Sequence, residues 1–209
     1  MIRLIPDGLL SPPALRVDGA RVYIRPAQPK DWRPWAELRE ASRDFLVPWE
    51  PTWPPDALTR EAFSRRLRRQ AGEWRDDEAY SFLVFTQSGD EVVGGIGLTN
   101  VRRGVAQMGT MGYWAGKPYA RHGYISEGAR LMLSFAFGQL GLHRVEAACL
   151  PSNIPSSGLL EKVGFTREGY ARAYLRIDGK WADHLLYAML RDDWAARGEM
   201  ANPAPVRVP

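Results

Sequence analysis

The chain has one cysteine, Cys149, and three histidines in 209 residues. A lone thiol excludes an internal disulfide framework and suits a reducing compartment. His122, His143, His184 and Cys149 have no metal-ligand spacing, so no metal site is expected. No run of about eighteen apolar residues occurs, so no membrane-spanning helix is expected. The opening stretch MIRLIPDGLLSPPALRV is interrupted by Pro6, Asp7, Pro12 and Pro13, and lacks the unbroken apolar core of a signal peptide. The cytoplasm is the expected location. There is no internal repeat, and no low-complexity block outside the ends.

What is present is ordinary for a globular protein: 45% hydrophobic and 25% charged residues. The length suits one domain with a sizeable core. A single domain is expected over residues 1–197, with a flexible tail over 198–209. The net charge is only +4. Its distribution is uneven, with Arg60, Arg65, Arg66, Arg68 and Arg69 in one segment and Arg102 beside Arg103. Such clusters suit phosphate-bearing or acidic partners, or form the solvated face of a helix.

Periodicity and turn residues give the element order. Residues 21–25 have a short strand pattern. In 29–45, Trp32, Trp35, Leu38 and Ala41 recur at helical spacing. The proline-rich PWEPTWPP follows, and Thr59 can cap a second helix through about Asp76. Strands are expected over 79–86 and 91–99 around a hairpin turn at 87–90, and over 106–115. An apolar helix over 126–140, a strand over 143–150 and a helix over 155–163 come next. Two last strands, 165–176 and 180–190, flank the hairpin turn Asp178-Gly179. The order β-α-α-β-β-β-α-β-α-β-β implies an α/β (α+β) fold. Its mixed, mostly antiparallel sheet would have about seven strands, with helices on both faces and one crossover helix.

The informative segment is 112–165, GYWAGKPYARHGYISEGARLMLSFAFGQLGLHRVEAACLPSNIPSSGLLEKVGF. A strand ends at Trp114, a loop holds Arg121, His122 and Gly123, and a helix begins near Ser126. Such a junction aims free backbone N–H groups and a positive helix end at one place, which suits an anion. Gly123 lets the backbone approach a ligand closely, and Arg121 adds charge.

The order of these pieces resembles the GNAT acetyltransferases. The likeness is closest to the branch that acetylates the N-terminal alanine of ribosomal proteins (RimJ/RimL-like). The pieces are GYW, the GY-x-SE helix start, F-x-F-x-x-LGLHRVEA, the P-x-N-x-x-S step, LLEKVGF and EGYARAYLRIDGKWADHLLYAML. The likeness is strong over about Gly94 to Leu190, and RPA and PWEP in the front third share it. It implies the GNAT fold, acetyl-CoA as cosubstrate, no metal, and an amine as acceptor. On this resemblance, Arg121, His122, Gly123, Tyr124, Ile125 and Ser126 would cradle the pyrophosphate. Met111, Gly112, Tyr113 and Trp114 would splay from the next strand, pair with the pantetheine amides and polarise the thioester carbonyl. Asn153 would hydrogen-bond the pantetheine arm. Ser156 would sit near the sulfur and protonate the leaving thiolate. The usual superfamily loop reads Gln/Arg-x-x-Gly-x-Gly/Ala; in Ala120 to Ile125 only Gly123 fits it. Thr110-Met111 stand where relatives often carry a glutamate, so the core motif holds no evident general base.

Other groups carry two readings each. Glu50, in the loop that would cover the acceptor, could hold a substrate ammonium or be a plain loop carboxylate. Glu146 could act as a base or pair with Arg144. Asp183 and His184 could deprotonate the amine through water or form an interstrand pair. Tyr174 is a candidate acid, although Tyr170, Tyr174 and Tyr187 also suit packing, and Ser157 offers a hydroxyl out of register. Cys149 reads as a packed thiol.

The expected mechanism is direct transfer in a ternary complex, in which positioning supplies much of the acceleration. The expected acceptor is a protein N-terminal α-amine, as on a ribosomal protein. A polyamine, amino sugar or antibiotic is the alternative, and a non-catalytic acyl-CoA sensor is another. Aromatic residues fall at core-like spacings, which argues against direct nucleic-acid binding. No membrane partner is expected, and the protein would be a monomer or homodimer.

Overall fold

The computed structural model describes residues 15–198 and 206–207. Nine strands form one sheet in the order β7-β8-β6-β5-β4-β3-β2-β1-β9. They are β1 (Arg16–Asp18), β2 (Val22–Arg25), β3 (Tyr80–Thr86), β4 (Val92–Arg102), β5 (Met108–Ala115), β6 (Arg144–Cys149), β7 (Thr166–Ile177), β8 (Lys180–Leu190) and β9 (Val206–Arg207). Every pairing is antiparallel except β5 with β6. The seven strands expected from the sequence are β2 to β8. β1 and β9 extend one edge and were not expected: β1 is three residues long and contains Asp18, too short for an alternation to register. β9 falls within the expected tail, the rest of which, beyond Gly198, lies outside the described residues.

The helices are α1 (Trp32–Ala41), α2 (Arg43–Leu46), α3 (Arg60–Arg75), α4 (Tyr124–Ser134), α5 (Ile154–Val163) and α6 (Arg191–Ala196). Side chains alternate across a strand, so each strand feeds two cores. On one face Val22, Ile24, Phe82, Val84 and Ile96 meet Ala129, Met132 and Leu133 of α4 and Leu160 of α5. On the other, Tyr23, Leu83 and Phe85 meet Trp35 of α1 and Phe63 of α3. Thr59 caps α3 as expected, its hydroxyl accepting the Ala62 N–H at 3.2 Å.

The single helix expected over 29–45 is divided. Ser42 ends α1, is fully buried, and its Oγ accepts the Lys117 N–H at 2.9 Å. A hydroxyl committed to a partner across the fold turns the chain there, and Pro48 then prevents the helix from continuing. α4 begins at Tyr124, two residues before the expected start. It continues beyond Ser134 as a wider turn, Phe135–Gln139, whose Phe135 ring packs against Trp74, Tyr80 and Phe82.

Candidate active site

The sheet opens in the middle. β5 and β6 pair in parallel at Met108↔Arg144, Gly109↔Val145 and Thr110↔Glu146, and there the pairing stops. β5 runs on against β4 as far as Ala115, and β6 runs on against β8 as far as Cys149. Each strand is therefore held on its outer side while a wedge separates Met111–Ala115 from Ala147–Cys149. Along that edge of β5, alternate backbone N–H and C=O groups face the gap without a strand partner, the condition in which an extended ligand can add to a sheet. The expected splay of Met111, Gly112, Tyr113 and Trp114 is present.

Alternation decides what each face of β5 offers. Met111 and Tyr113 point into the core beside α4 and α5. Gly112 and Trp114 point the other way. No heavy atom lies within 4 Å of a Cβ built on Gly112, which faces Gly97 of β4. The floor there is bare. Trp114 lies flat across Gly95, where a Cβ would stand 2.3 Å from the indole Nε1. The Arg39 guanidinium lies over Trp114, 4.8 Å from the ring centroid, and over Trp53 at 4.2 Å. These three side chains form an aromatic and cationic wall beside the bare floor.

At the other end of the wedge lies the loop before α4. Arg121 and Gly123 both have positive φ, 64° and 82°. Gly123 is the N-cap residue, so the N–H groups of Tyr124, Ile125 and Ser126 belong to the first helical turn and have no intrahelical acceptor. The early start of α4 gathers them into one cluster of donors at the helix N-terminus. Ile125 is buried with its side chain in the core, so only its backbone can serve a ligand. Arg121 and His122 are exposed, and the His122 ring stacks on Tyr124 with centroids 6.0 Å apart.

α5 forms the far wall. Asn153 is its N-cap, and Asn153 Oδ1 accepts the Ser156 N–H at 3.1 Å. This cap fixes the helix start that presents Ser156. The Ser156 and Tyr113 hydroxyls are 2.8 Å apart, and the Tyr113 hydroxyl also reaches the Ser156 carbonyl at 3.3 Å. Burial pushes the Tyr113 phenol well above its usual range, only partly offset by the Ser156 hydrogen bond, so the phenol stays protonated. Burial likewise raises the Cys149 thiol, so it packs as a neutral group. Tyr187 donates to Glu161 at 3.2 Å, behind the same helix.

The remaining candidates are mostly engaged elsewhere. Both oxygens of Glu50 are held by Arg39, at 3.0 and 2.6 Å, and one also accepts the Trp53 indole N–H at 2.7 Å. The Glu50 backbone carbonyl accepts the Asp178 N–H at 2.9 Å, tying this loop to the β7–β8 turn. Glu50 is thus a loop anchor whose charge Arg39 already neutralises. Glu146 pairs with Arg144 at 2.9 Å, the second of its two expected readings. Asp183 accepts the Tyr170 hydroxyl and, at 2.7 Å, the Ala173 N–H, so it braces an irregularity in β7. His184 is buried, with Nδ1 3.0 Å from the Ala182 carbonyl. A carbonyl only accepts, so Nδ1 carries the proton in that contact. Tyr174 is half-exposed, edge-on to His184 at 5.7 Å, and no hydrogen bond joins it to Ser156.

In the sequence Tyr113 stands out only as strand backbone, and no local pattern marks Arg39 or Arg21. The strand alternation that pairs Tyr113 with Met111 was visible. That its ring reaches α5 was not. Among the described residues, no group of three or more His, Cys, Asp or Glu side chains is placed to hold a metal, and no helix is long and apolar enough to cross a membrane.

A model of the acetyltransferase (GNAT) domain matches residues 21–166. The chain is 35% identical over 175 residues to the probable N-acetyltransferase YjcK of Bacillus subtilis, covering 84% of this chain and 97% of that one. It is 31% identical over 183 residues to the [ribosomal protein uS5]-alanine N-acetyltransferase of Escherichia coli, covering 87% and 94%. Among solved structures, Mycobacterium smegmatis RimJ in complex with CoA-disulfide superposes with a TM-score of 0.78 at 30% identity, covering 88% of this chain and 93% of that one.

Proposed function

The chain belongs to the GNAT acetyltransferase family, and on that premise we propose that it moves an acetyl group from acetyl-CoA to a protein N-terminal α-amine, directly, within a ternary complex. The observation that carries this reading is the wedge between β5 and β6, open on one side to the α4 N-terminus and on the other to the bare floor over Gly112. Mycobacterium smegmatis RimJ was solved in complex with CoA-disulfide, and the residues here suit the CoA part of that ligand.

The Tyr124, Ile125 and Ser126 N–H groups, with Gly123, take the pyrophosphate, and Arg121 and His122 flank it. The free edge of Met111–Trp114 takes the pantetheine amides and donates an N–H to the thioester carbonyl as that oxygen gains charge. Asn153, its Oδ1 used as a helix cap, offers its amide nitrogen to the pantetheine arm. Ser156 donates a proton to the departing sulfur, and the adjacent Tyr113 hydroxyl can replace it.

The amine arrives from the opposite face, over Gly112 and beside Trp114. Glu50 takes the role of fixing the wall rather than holding the ammonium, and no step draws on Tyr174. Because an unprotonated amine is already nucleophilic, alignment within the cleft supplies much of the rate. Similarity to a relative named as a [ribosomal protein uS5]-alanine N-acetyltransferase supports a protein acceptor over a small polyamine.

The test is acetyl-CoA turnover against peptides beginning Ala, Ser or Met, alongside polyamines and aminoglycosides. Preference for a peptide N-terminus is expected. Turnover of the small amines alone would overturn the protein-acceptor reading while leaving the family assignment in place.

A further inference from the structure

The turn between β1 and β2 docks on the first turn of α4. Glu127 is the acidic residue of that helical turn. Its Oε1 accepts the backbone N–H of Arg21 at 2.7 Å and of Val22 at 3.2 Å. Its Oε2 accepts Arg21 Nε at 3.1 Å. Gly19 permits the docking, since a Cβ there would stand 2.7 Å from Glu127 Oε1. Arg21 Nη1 donates to the His122 carbonyl at 3.0 Å, inside the loop before α4. That leaves Nη2, which has no hydrogen-bond partner among the described residues. It lies 3.1 Å from the position a Cβ on Gly123 would take. The guanidinium also lies over Tyr124, 5.3 Å from the ring centroid.

Two physical consequences follow. A carboxylate in the first turn of a helix uses up the positive end and repels a second anion; the Arg21 guanidinium offsets the charge of Glu127. The free Nη2 then adds a charged donor beside the unpaired N–H groups of Tyr124, Ile125 and Ser126. An exposed surface ion pair would contribute little to stability, so the contacts of Arg21 serve mainly to aim it.

We infer that Arg21 is a direct ligand of the acetyl-CoA pyrophosphate, held in place by Glu127 and the His122 carbonyl so that Nη2 faces the phosphates across Gly123. The inference rests on the reading of residues 121–126 as the pyrophosphate cradle.

The experiment compares KM and kcat for acetyl-CoA and for acetyl-pantetheine, which lacks the diphosphate, in wild type, Arg21→Ala and Glu127→Gln. In Arg21→Ala the KM for acetyl-CoA should rise on the order of ten- to a hundredfold, the range for a lost charge-assisted hydrogen bond. The KM for acetyl-pantetheine should not change. In Glu127→Gln the one remaining oxygen can still accept the Arg21 and Val22 backbone N–H groups, but an NH2 replaces the oxygen that accepts Arg21 Nε, so the guanidinium loses its aim. Its KM for acetyl-CoA should rise, by a smaller factor than in Arg21→Ala, and its KM for acetyl-pantetheine should not change.

An unchanged KM for acetyl-CoA in Arg21→Ala overturns the inference. So do equal losses for both cosubstrates in either variant, because a merely structural ion pair would give them. If wild type itself did not prefer acetyl-CoA to acetyl-pantetheine, the cradle reading would fail first, which separates the two failures.

Discussion

The hydroxyls of Tyr113 and Ser156 stand 2.8 Å apart and join the unpaired stretch of β5 to the first turn of α5. The pair closes the inner end of the wedge with two exchangeable protons. One residue comes from the strand that would polarise the thioester, and the other from the helix that would receive the thiol.

Ser156→Ala should lower kcat roughly ten- to a thousandfold while leaving acetyl-CoA affinity near wild type. A donor to the departing sulfur matters only as charge develops there. Asn153→Ala should instead weaken acetyl-CoA binding and also loosen the start of α5, with a stability loss of about 1 kcal/mol for the missing cap. Steady-state kinetics with a thermal melt on both variants separates the roles; wild-type turnover in Ser156→Ala would sink the acid assignment.

Tyr113 should not limit the rate on the alkaline side. Burial raises its pKa, and a raised acid keeps its proton to higher pH than an ordinary phenol, whose value lies near about 10. The kcat profile should therefore show no descending limb from this group at or below about pH 10. Tyr113→Phe should reduce kcat without changing the shape of the profile. A limb near pH 9 that disappears in Tyr113→Phe would contradict both the burial effect and the proposed reserve proton.

Gly123→Glu should abolish acetyl-CoA binding and leave the fold standing. The φ of 82° costs a side chain on the order of 1–2 kcal/mol. The new carboxylate would also lie beside Arg21 and take the place of a phosphate. Calorimetric titration with CoA checks this, and circular dichroism verifies folding; retained affinity would move the diphosphate elsewhere.

Gly95→Ala should damage the acceptor side more than the cosubstrate side. The added methyl would stand 2.3 Å from Trp114 Nε1, so the indole must tilt away from the sheet and disturb its stacking with Arg39. Overpacking of this kind costs about 1–3 kcal/mol. The KM for the peptide acceptor should rise by a larger factor than the KM for acetyl-CoA, as two-substrate kinetics would reveal. Equal effects on both would mean that Trp114 does not border the amine.

Much of the architecture was legible because it depends on neighbours in the chain. Helical spacing marked α3 with its Thr59 cap, and hairpin residues marked the turns at 87–90 and 178–179. The segment 112–165 carried the order of strand, loop, helix, strand and helix, and with it the resemblance that implied the cosubstrate. Gly123 before a helix already suggested an anion site.

What remained depended on register and on partners distant in sequence. The wedge exists because β5 and β6 part after Thr110 and Glu146, and no local pattern states where two strands stop pairing. Ser42 divides the first helix because Lys117, 75 residues away, takes its hydroxyl. Glu50 is an anchor rather than a free carboxylate because Arg39 approaches from the preceding helix with both of its terminal nitrogens. Arg21 reaches the loop before α4 through Glu127, 106 positions along the chain. Local propensity and turn chemistry are encoded residue by residue, so the sequence alone determined the elements and the family. The side chains that complete each charge and hydroxyl meet only when the sheet and its helices close, and tertiary structure decided those.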